Sequence, residues 1–178
     1  MNIGIDFDNT LVNTSEVSKK YLDIYKPGNN LKSYHDLPLK EEIAFFSKYH
    51  MDIVKDLKVF RNVKKAFSFF RKNNCKLYLI TARGLNVNDQ VKMVETIKEY
   101  LKTKKINFDG EIYYQQYKSK ACLDNKIDIM IDDTDYVLDD LYNNGIRVLK
   151  YGNISDKYDY VLNWNEVIDY FRKEFKCE

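Results

Sequence analysis

The sequence predicts an α/β protein: a Rossmann-like, doubly wound parallel sheet with a small α-helical cap inserted after the first strand. Three observations predict it. From residue 60 onward, short β-patterned runs alternate with helix-patterned runs to the C-terminus, the rhythm of a mainly parallel sheet covered on both faces. Two helical patterns stand between the first and second strands, where one crossover suffices. At 178 residues, with 44% hydrophobic and 15% aromatic content, the chain can bury one substantial core.

Taken in order, "NIGIDF" alternates Ile3, Ile5 and Phe7 on one face and reads as the opening strand. "TSEVSKKYLDIYKPG" reads as a helix with Thr14 or Ser15 as N-cap, Val17, Tyr21 and Tyr25 on one stripe, and Pro27-Gly28 as its stop. A loop runs to about Leu37. "PLKEEIAFFSKYHMDIVKDL" repeats the helical pattern through Leu39, Ile43, Phe46 and Tyr49, breaking before Leu57. Then helix "NVKKAFSFFRKN" leads to strand "KLYLIT", and helix "DQVKMVETIKEYLKTK" to strand "EIYY". A short helix near 119–125 precedes strand "IDIMID"; helix "DYVLDDLYNN" ends at Gly145; strand "RVLKY" and helix "NEVIDYFRKEF" close the pattern. The expected division is a core of residues 1–12 and 59–178 with a helical cap over 13–58.

The charges nearly cancel, with 29 Lys and Arg against 27 Asp and Glu, and they are interspersed, so neither a nucleic-acid polymer nor a membrane surface is the expected partner. The densest basic run, "KTKK" at 102–105, reads as a solvated helix end. Cys75, Cys122 and Cys177 are odd in number and lack a Cys-x-x-Cys pairing, which fits a reducing compartment. Acidic residues appear by position 6, and no stretch reaches membrane-spanning length. The expectation is a cytoplasmic protein.

Chemistry is expected at the strand ends, because ligands of a doubly wound sheet collect beyond the carboxyl ends of its strands. The first strand ends in Asp6-Phe7-Asp8, the second in Thr81-Ala82-Arg83; the third is followed by Lys118 and Lys120, and the fourth ends in Asp132-Asp133. Two carboxylates about 4 Å apart repel by roughly 4 kcal/mol at an effective dielectric near 20. A hard divalent cation relieves such a cluster, and magnesium leaves room in its octahedron for a phosphate oxygen. A hydroxyl and a lysine then serve the remaining phosphoryl oxygens.

"DFDNT", "ITAR", a downstream lysine and "IDD" together resemble the four motifs of the haloacid dehalogenase superfamily of phosphohydrolases, in the family's order from residue 6 to 133. The resemblance implies Asp6 as the nucleophile that forms an aspartyl-phosphate, and Asp8 as the acid and then base for leaving group and water. It implies a magnesium ion held by the Asp6 carboxylate, the Asp8 carbonyl and an acidic residue of the last motif, Asp132 or Asp133, with Thr81 and Lys118 or Lys120 on the phosphoryl oxygens. Lys118, fourteen residues before Asp132, is preferred over Lys120. The small cap, "LITAR" and "VLNWNEVIDYF" look similar to the deoxyribonucleotidase-like branch, which implies a nucleoside monophosphate as the small-molecule phosphomonoester; a sugar phosphate is the alternative.

Other readings of the same residues are weaker. An EF-hand loop starting at Asp6 needs Gly and Glu where Leu11 and Val17 stand. A receiver-type phosphoacceptor domain carries its acidic pair on the first strand, whereas here the adjacent pair is on the fourth. Arg83 reads as a surface residue, and His35 and His50 as ordinary cap residues. Tyr21, Tyr25, Tyr34, Phe45, Phe46 and Tyr49 could stack on a nucleobase but read mostly as packing of the cap.

Overall fold

Alternation along the first strand sets the architecture. In a computed structural model, which describes residues 1–175, β1 (Asn2–Ile5) buries Ile3 and Ile5 in the larger apolar cluster. Gly4 faces the other way, where a Cβ would lie 2.5 Å from the Met130 sulfur; only a glycine lets the neighbouring strand's side chain approach so closely. Cys75 and Cys122 are buried free thiols, and Cys177 lies outside the described residues.

Along the chain follow α1 (Thr14–Tyr25), a 3-10 turn (Tyr34–Asp36), α2 (Leu39–Asp56), α3 (Val63–Lys72), β2 (Lys76–Ile80) and a short extended stretch, β3 (Arg83–Asn86). Then come α4 (Gln90–Lys104), β4 (Gly110–Ile112), α5 (Ser119–Asp124), β5 (Ile129–Asp132), α6 (Asp135–Asn143), β6 (Arg147–Tyr151), β7 (Tyr160–Val161) and α7 (Trp164–Glu174). Six strands form one parallel sheet in the order β4-β2-β1-β5-β6-β7. The chain works outward from β1 through β2 to β4 and then crosses back to β5 on the other side. The seam between β1 and β5 is therefore the switch point at which such sheets bind ligands.

Apolar side chains cover both faces of the sheet. Ile3, Ile5, Leu77, Leu79 and Ile131 pack with Phe67 and Phe70 of α3 and Val167 and Phe171 of α7. On the other face Ile80, Met130 and Val148 meet Cys122 of α5 and Leu138 and Leu141 of α6. The first cluster continues into the inserted helices through Val17, Leu22, Phe45 and Ile53. The chain enters and leaves that insertion side by side: the Asn13 N–H bonds the Lys58 carbonyl at 3.2 Å, and the Lys58 N–H bonds the Asn13 side chain at 2.8 Å.

The expected elements are present, with three corrections. Neither β3 nor the two-residue β7 carries enough alternation to be legible. Asn13, not Thr14 or Ser15, takes the N-cap position of α1, because the Thr14 hydroxyl is drawn to Asp8 instead. The buried face of α2 runs through Phe45, Phe46, Ile53 and Val54 and also carries Glu42 and His50, while Leu39 is exposed. The run at 102–105 is the solvated end of α4, as expected. Among the described residues no helix is long and apolar enough to cross a membrane.

Trp164 ties α7 to the loop that follows β1. It is fully buried, its indole N–H donates to the Thr10 carbonyl at 2.9 Å, and its ring packs against Phe67 and Tyr151. Replacing it with phenylalanine removes that donor and leaves a void. Trp164→Phe is expected to lower unfolding stability by about 1–3 kcal/mol, read as a fall in the urea midpoint.

Candidate active site

The site starts where β1 runs out. The Asp6 N–H extends the strand ladder to the Ile131 carbonyl at 3.0 Å, so the Asp6 end of β1 stays beside the end of β5. Buried Phe7 anchors the next position against the Tyr100 ring. The chain then turns back: Asn9 takes a left-handed conformation (φ 55°), and the Leu11 and Val12 N–H groups both donate to the Phe7 carbonyl. Asn tolerates that conformation better than most residues.

Three buried side chains from three elements meet at the β1–β5 seam. The Lys118 ammonium, at the N-cap position of α5, donates to Asp6 Oδ1 at 2.5 Å and to Asp132 Oδ2 at 2.7 Å. Asp132 Oδ1 accepts from the Thr134 N–H at 3.0 Å, and the Thr134 hydroxyl donates to Asp133 Oδ1 at 3.2 Å. Asp6 Oδ2 has no hydrogen-bond partner among the described residues. Thr81, fully buried at the end of β2, accepts from the Arg83 N–H through its hydroxyl at 3.2 Å.

Of the two candidate lysines, Lys118 is in the site and Lys120 is not. The Lys120 side chain is 84% exposed and pairs along the helix surface with Asp124 at 2.6 Å. Two residues of helix turn a side chain by about 200°, so only one of the pair can face the sheet. Arg83 also departs from expectation. It is 6% exposed and grips Asp8: Nε donates to Oδ2 at 2.8 Å and to Oδ1 at 2.9 Å, and Nη2 also reaches Oδ1. The Thr14 hydroxyl, from the first turn of α1, donates to the same Asp8 Oδ1 at 2.5 Å. The charge inside the apolar run "LITARGL" does not by itself tell a buried arginine from a surface one.

Burial and mutual repulsion shape the charges here. Burial holds the Asp6 carboxyl well above the usual carboxylate range; Lys118 opposes the shift, and Asp132, Asp8 and Asp133 reinforce it. Burial, then Asp132, pushes Asp133 up to about 7, against the lowering effect of its bond to Thr134. Burial pulls the Lys118 ammonium down, but Asp132 and Asp6 together outweigh it and hold it above its ordinary value.

Four carboxylates, Asp6, Asp8, Asp132 and Asp133, face two cations, Lys118 and Arg83, leaving two negative charges uncompensated if all are ionised. Among the described residues no three His, Cys, Asp or Glu side chains are grouped so as to hold a metal ion, so the expected four-carboxylate set is not gathered at one point. The Asp8 carboxylate is committed to Arg83 and Thr14, and Lys118 occupies the space between Asp6 and Asp132. Even so, the donor set fits a hard divalent cation in chemistry: the donors are all oxygen, the carboxyl groups outnumber the cations beside them by two, and Asp6 Oδ2 is unpaired.

Beside this cluster lies a cavity of about 510 Å³. Asp8, Arg83 and Asp133 line it, as do Leu85, Met93 and Tyr136. The inserted segment supplies Tyr34, His35, Glu42 and Phe46. His35 Nδ1 lies 3.2 Å from Glu42 Oε1, whereas buried His50, which does not line the cavity, bonds the Phe46 carbonyl one helical turn earlier at 3.0 Å. Tyr21, Tyr25, Phe45 and Tyr49 pack on one another, away from the cavity lining.

Removing the buried ammonium strands two buried carboxylates. Lys118→Met is expected to lower stability by about 3–5 kcal/mol in chelator-containing buffer, while Lys120→Met leaves the urea midpoint unchanged. Equal effects of the two substitutions would contradict the geometry above.

No family model and no curated protein matches the sequence. Solved structures do match its fold. A haloacid dehalogenase-like family hydrolase from Streptococcus pneumoniae superposes with a TM-score of 0.70 at 18% identity, over 96% of this chain and 97% of that one. A predicted phosphatase from Clostridium acetobutylicum gives 0.70 at 15%, over 97% and 98%. A β-phosphoglucomutase from Clostridium difficile gives 0.68 at 12%, over 98% and 96%. The parallel sheet with its switch point at β1 and β5, and these full-length superpositions, give the chain the fold of the haloacid dehalogenase-like hydrolases.

Proposed function

We propose that this protein is a phosphomonoester hydrolase that works through an aspartyl-phosphate on Asp6. The observation that carries the reading is the meeting of Asp6, Lys118 and Asp132 at the switch point, with Asp8, Thr81 and Asp133 on neighbouring strand ends. A single buried ammonium between two carboxylates, next to an unpaired carboxylate oxygen, suits a group that attacks phosphorus while its own charge is partly neutralised. The names of the superposed structures, a hydrolase and a phosphatase among them, support the same chemistry.

In this reading an Asp6 oxygen forms a bond to phosphorus as the ester P–O bond breaks, and Asp8 gives a proton to the departing alkoxide oxygen. A water then attacks the aspartyl-phosphate, Asp8 takes its proton, and inorganic phosphate leaves with Asp6 restored. Lys118 and the Thr81 hydroxyl hold the non-bridging oxygens through the transfer. Magnesium, bound by the Asp6 carboxylate, the Asp8 carbonyl and Asp132 or Asp133, would supply positive charge between nucleophile and phosphoryl dianion. Arg83 bonds both Asp8 oxygens in the resting protein, so Asp8 must be freed from that grip to reach a leaving group. Thr14, which shares that grip, connects its release to movement of the inserted helices, which we assign as a cap that shields the site from water.

For the substrate we favour a nucleoside monophosphate, on the aromatic rings of Tyr34, Phe46 and Tyr136 around the cavity. A sugar phosphate is the second reading, supported by the β-phosphoglucomutases among the superposed structures. A panel of phosphomonoesters assayed with magnesium separates them: a preference for nucleoside monophosphates of at least about tenfold in kcat/KM is expected, a size that pocket contacts can supply. Equal or better turnover of sugar phosphates would remove the nucleotidase reading. Asp6→Asn is expected to lose on the order of a thousandfold or more in kcat with an unchanged circular dichroism spectrum; full activity in that variant would end the covalent mechanism.

A further inference from the structure

The buried stripe of α2 contains two polar residues, Glu42 and His50, and of the two it is Glu42 that lines the cavity. Glu42 is 9% exposed on a helix face otherwise made of Phe45, Phe46, His50, Ile53 and Val54, and it lines the cavity. A carboxylate is rarely buried unless it has work to do or a partner to neutralise it. Its hydrogen-bond partner is the ring of His35, itself largely exposed, at 3.2 Å.

The charges around the cavity are unevenly distributed. Of the other acids in the lining, Asp8 is paired with Arg83, and Asp133 follows Asp132 of the buried cluster. From the inserted segment the charge is that of Glu42, paired with the His35 ring, and among the described residues no lysine and no arginine besides Arg83 lines the cavity. Of the remaining lining, Tyr34, Phe46, Leu85 and Met93 are aromatic or apolar, and Asn9, Gln116 and Thr134 are polar but uncharged.

We propose that Glu42 sets the charge of the leaving group: the cavity admits esters whose alcohol part is uncharged or cationic and excludes those that carry a carboxylate or a second phosphate. This rests on the hydrolase reading above and adds a substrate rule to it. A second anion within about 6 Å of Glu42, at an effective dielectric near 20, is disfavoured roughly a hundredfold before screening reduces the effect. An ammonium or a hydroxyl in the same place gains a carboxylate acceptor, and aromatic faces nearby favour the cation further.

The test uses three phosphomonoesters of similar size, glycerol 1-phosphate, phosphoethanolamine and 3-phosphoglycerate, whose alcohols are neutral, cationic and anionic. The wild-type protein is expected to favour the first two over the third by about tenfold or more in kcat/KM. Glu42→Gln keeps the volume and is expected to shrink that ratio severalfold, chiefly through KM, and Glu42→Lys to invert it. Glu41→Gln, at a neighbouring acid that pairs with Lys26 on the surface, serves as a control for general helix charge and is expected to leave the ratio unchanged. Turnover of all three esters with a ratio that a folded Glu42→Gln protein does not move would overturn the charge rule alone. Failure of the wild-type protein to hydrolyse any phosphomonoester removes the hydrolase reading and the rule with it.

Discussion

A lysine buried between two buried aspartates is the constraint around which the rest of this molecule is arranged. Lys118, Asp6 and Asp132 are each almost entirely removed from solvent, and the one ammonium satisfies an oxygen of each carboxyl group. Their meeting requires β1 and β5 to be parallel neighbours in register, with Ile5 beside Ile131, and requires α5 to begin at Lys118. The sheet order thus serves the electrostatics: the crossover from β4 back to β5 brings a carboxylate from residue 132 to one from residue 6.

The second level of organisation is the hold on Asp8. Arg83 opens β3, just past the end of β2, Thr14 comes from the first turn of the inserted helices, and both converge on one carboxylate. The hold on Asp8 is therefore tied to the position of the insertion, whose entry and exit segments lie side by side at Asn13 and Lys58. Because the insertion shares the main apolar cluster through Phe45, Ile53 and Leu57, its movement is bounded by packing that must be retained or re-formed.

How much of this was legible in the chain follows from what each signal encodes. Alternation at Ile3, Ile5 and Phe7 and the helix–strand rhythm after residue 60 encode burial directly, and the parallel sheet follows from them. Strand ends encode position, which is why Asp6, Asp8, Thr81, Asp132 and Asp133 are found on one rim. Side-chain direction on a short helix is not encoded by composition, so Lys118 and Lys120 could be separated only by seeing which one faces the sheet. Arg83 and Glu42 were illegible for a related reason. A charge in an apolar pattern reads as surface until its partner, 75 residues away for Arg83, is brought against it. The face of α2 was misjudged because two of its buried positions are polar, Glu42 and His50.

The most direct measurement of the central claim is a crystal structure of the protein with a divalent cation and vanadate as the phosphoryl analogue. The account predicts Lys118 between Asp6 and Asp132, an Asp6 oxygen in line with the trigonal vanadium, and the cation against Asp6 and the Asp132-Asp133 pair. A structure in which Lys118 points to solvent, or in which vanadate and cation bind away from the β1–β5 seam, would contradict it.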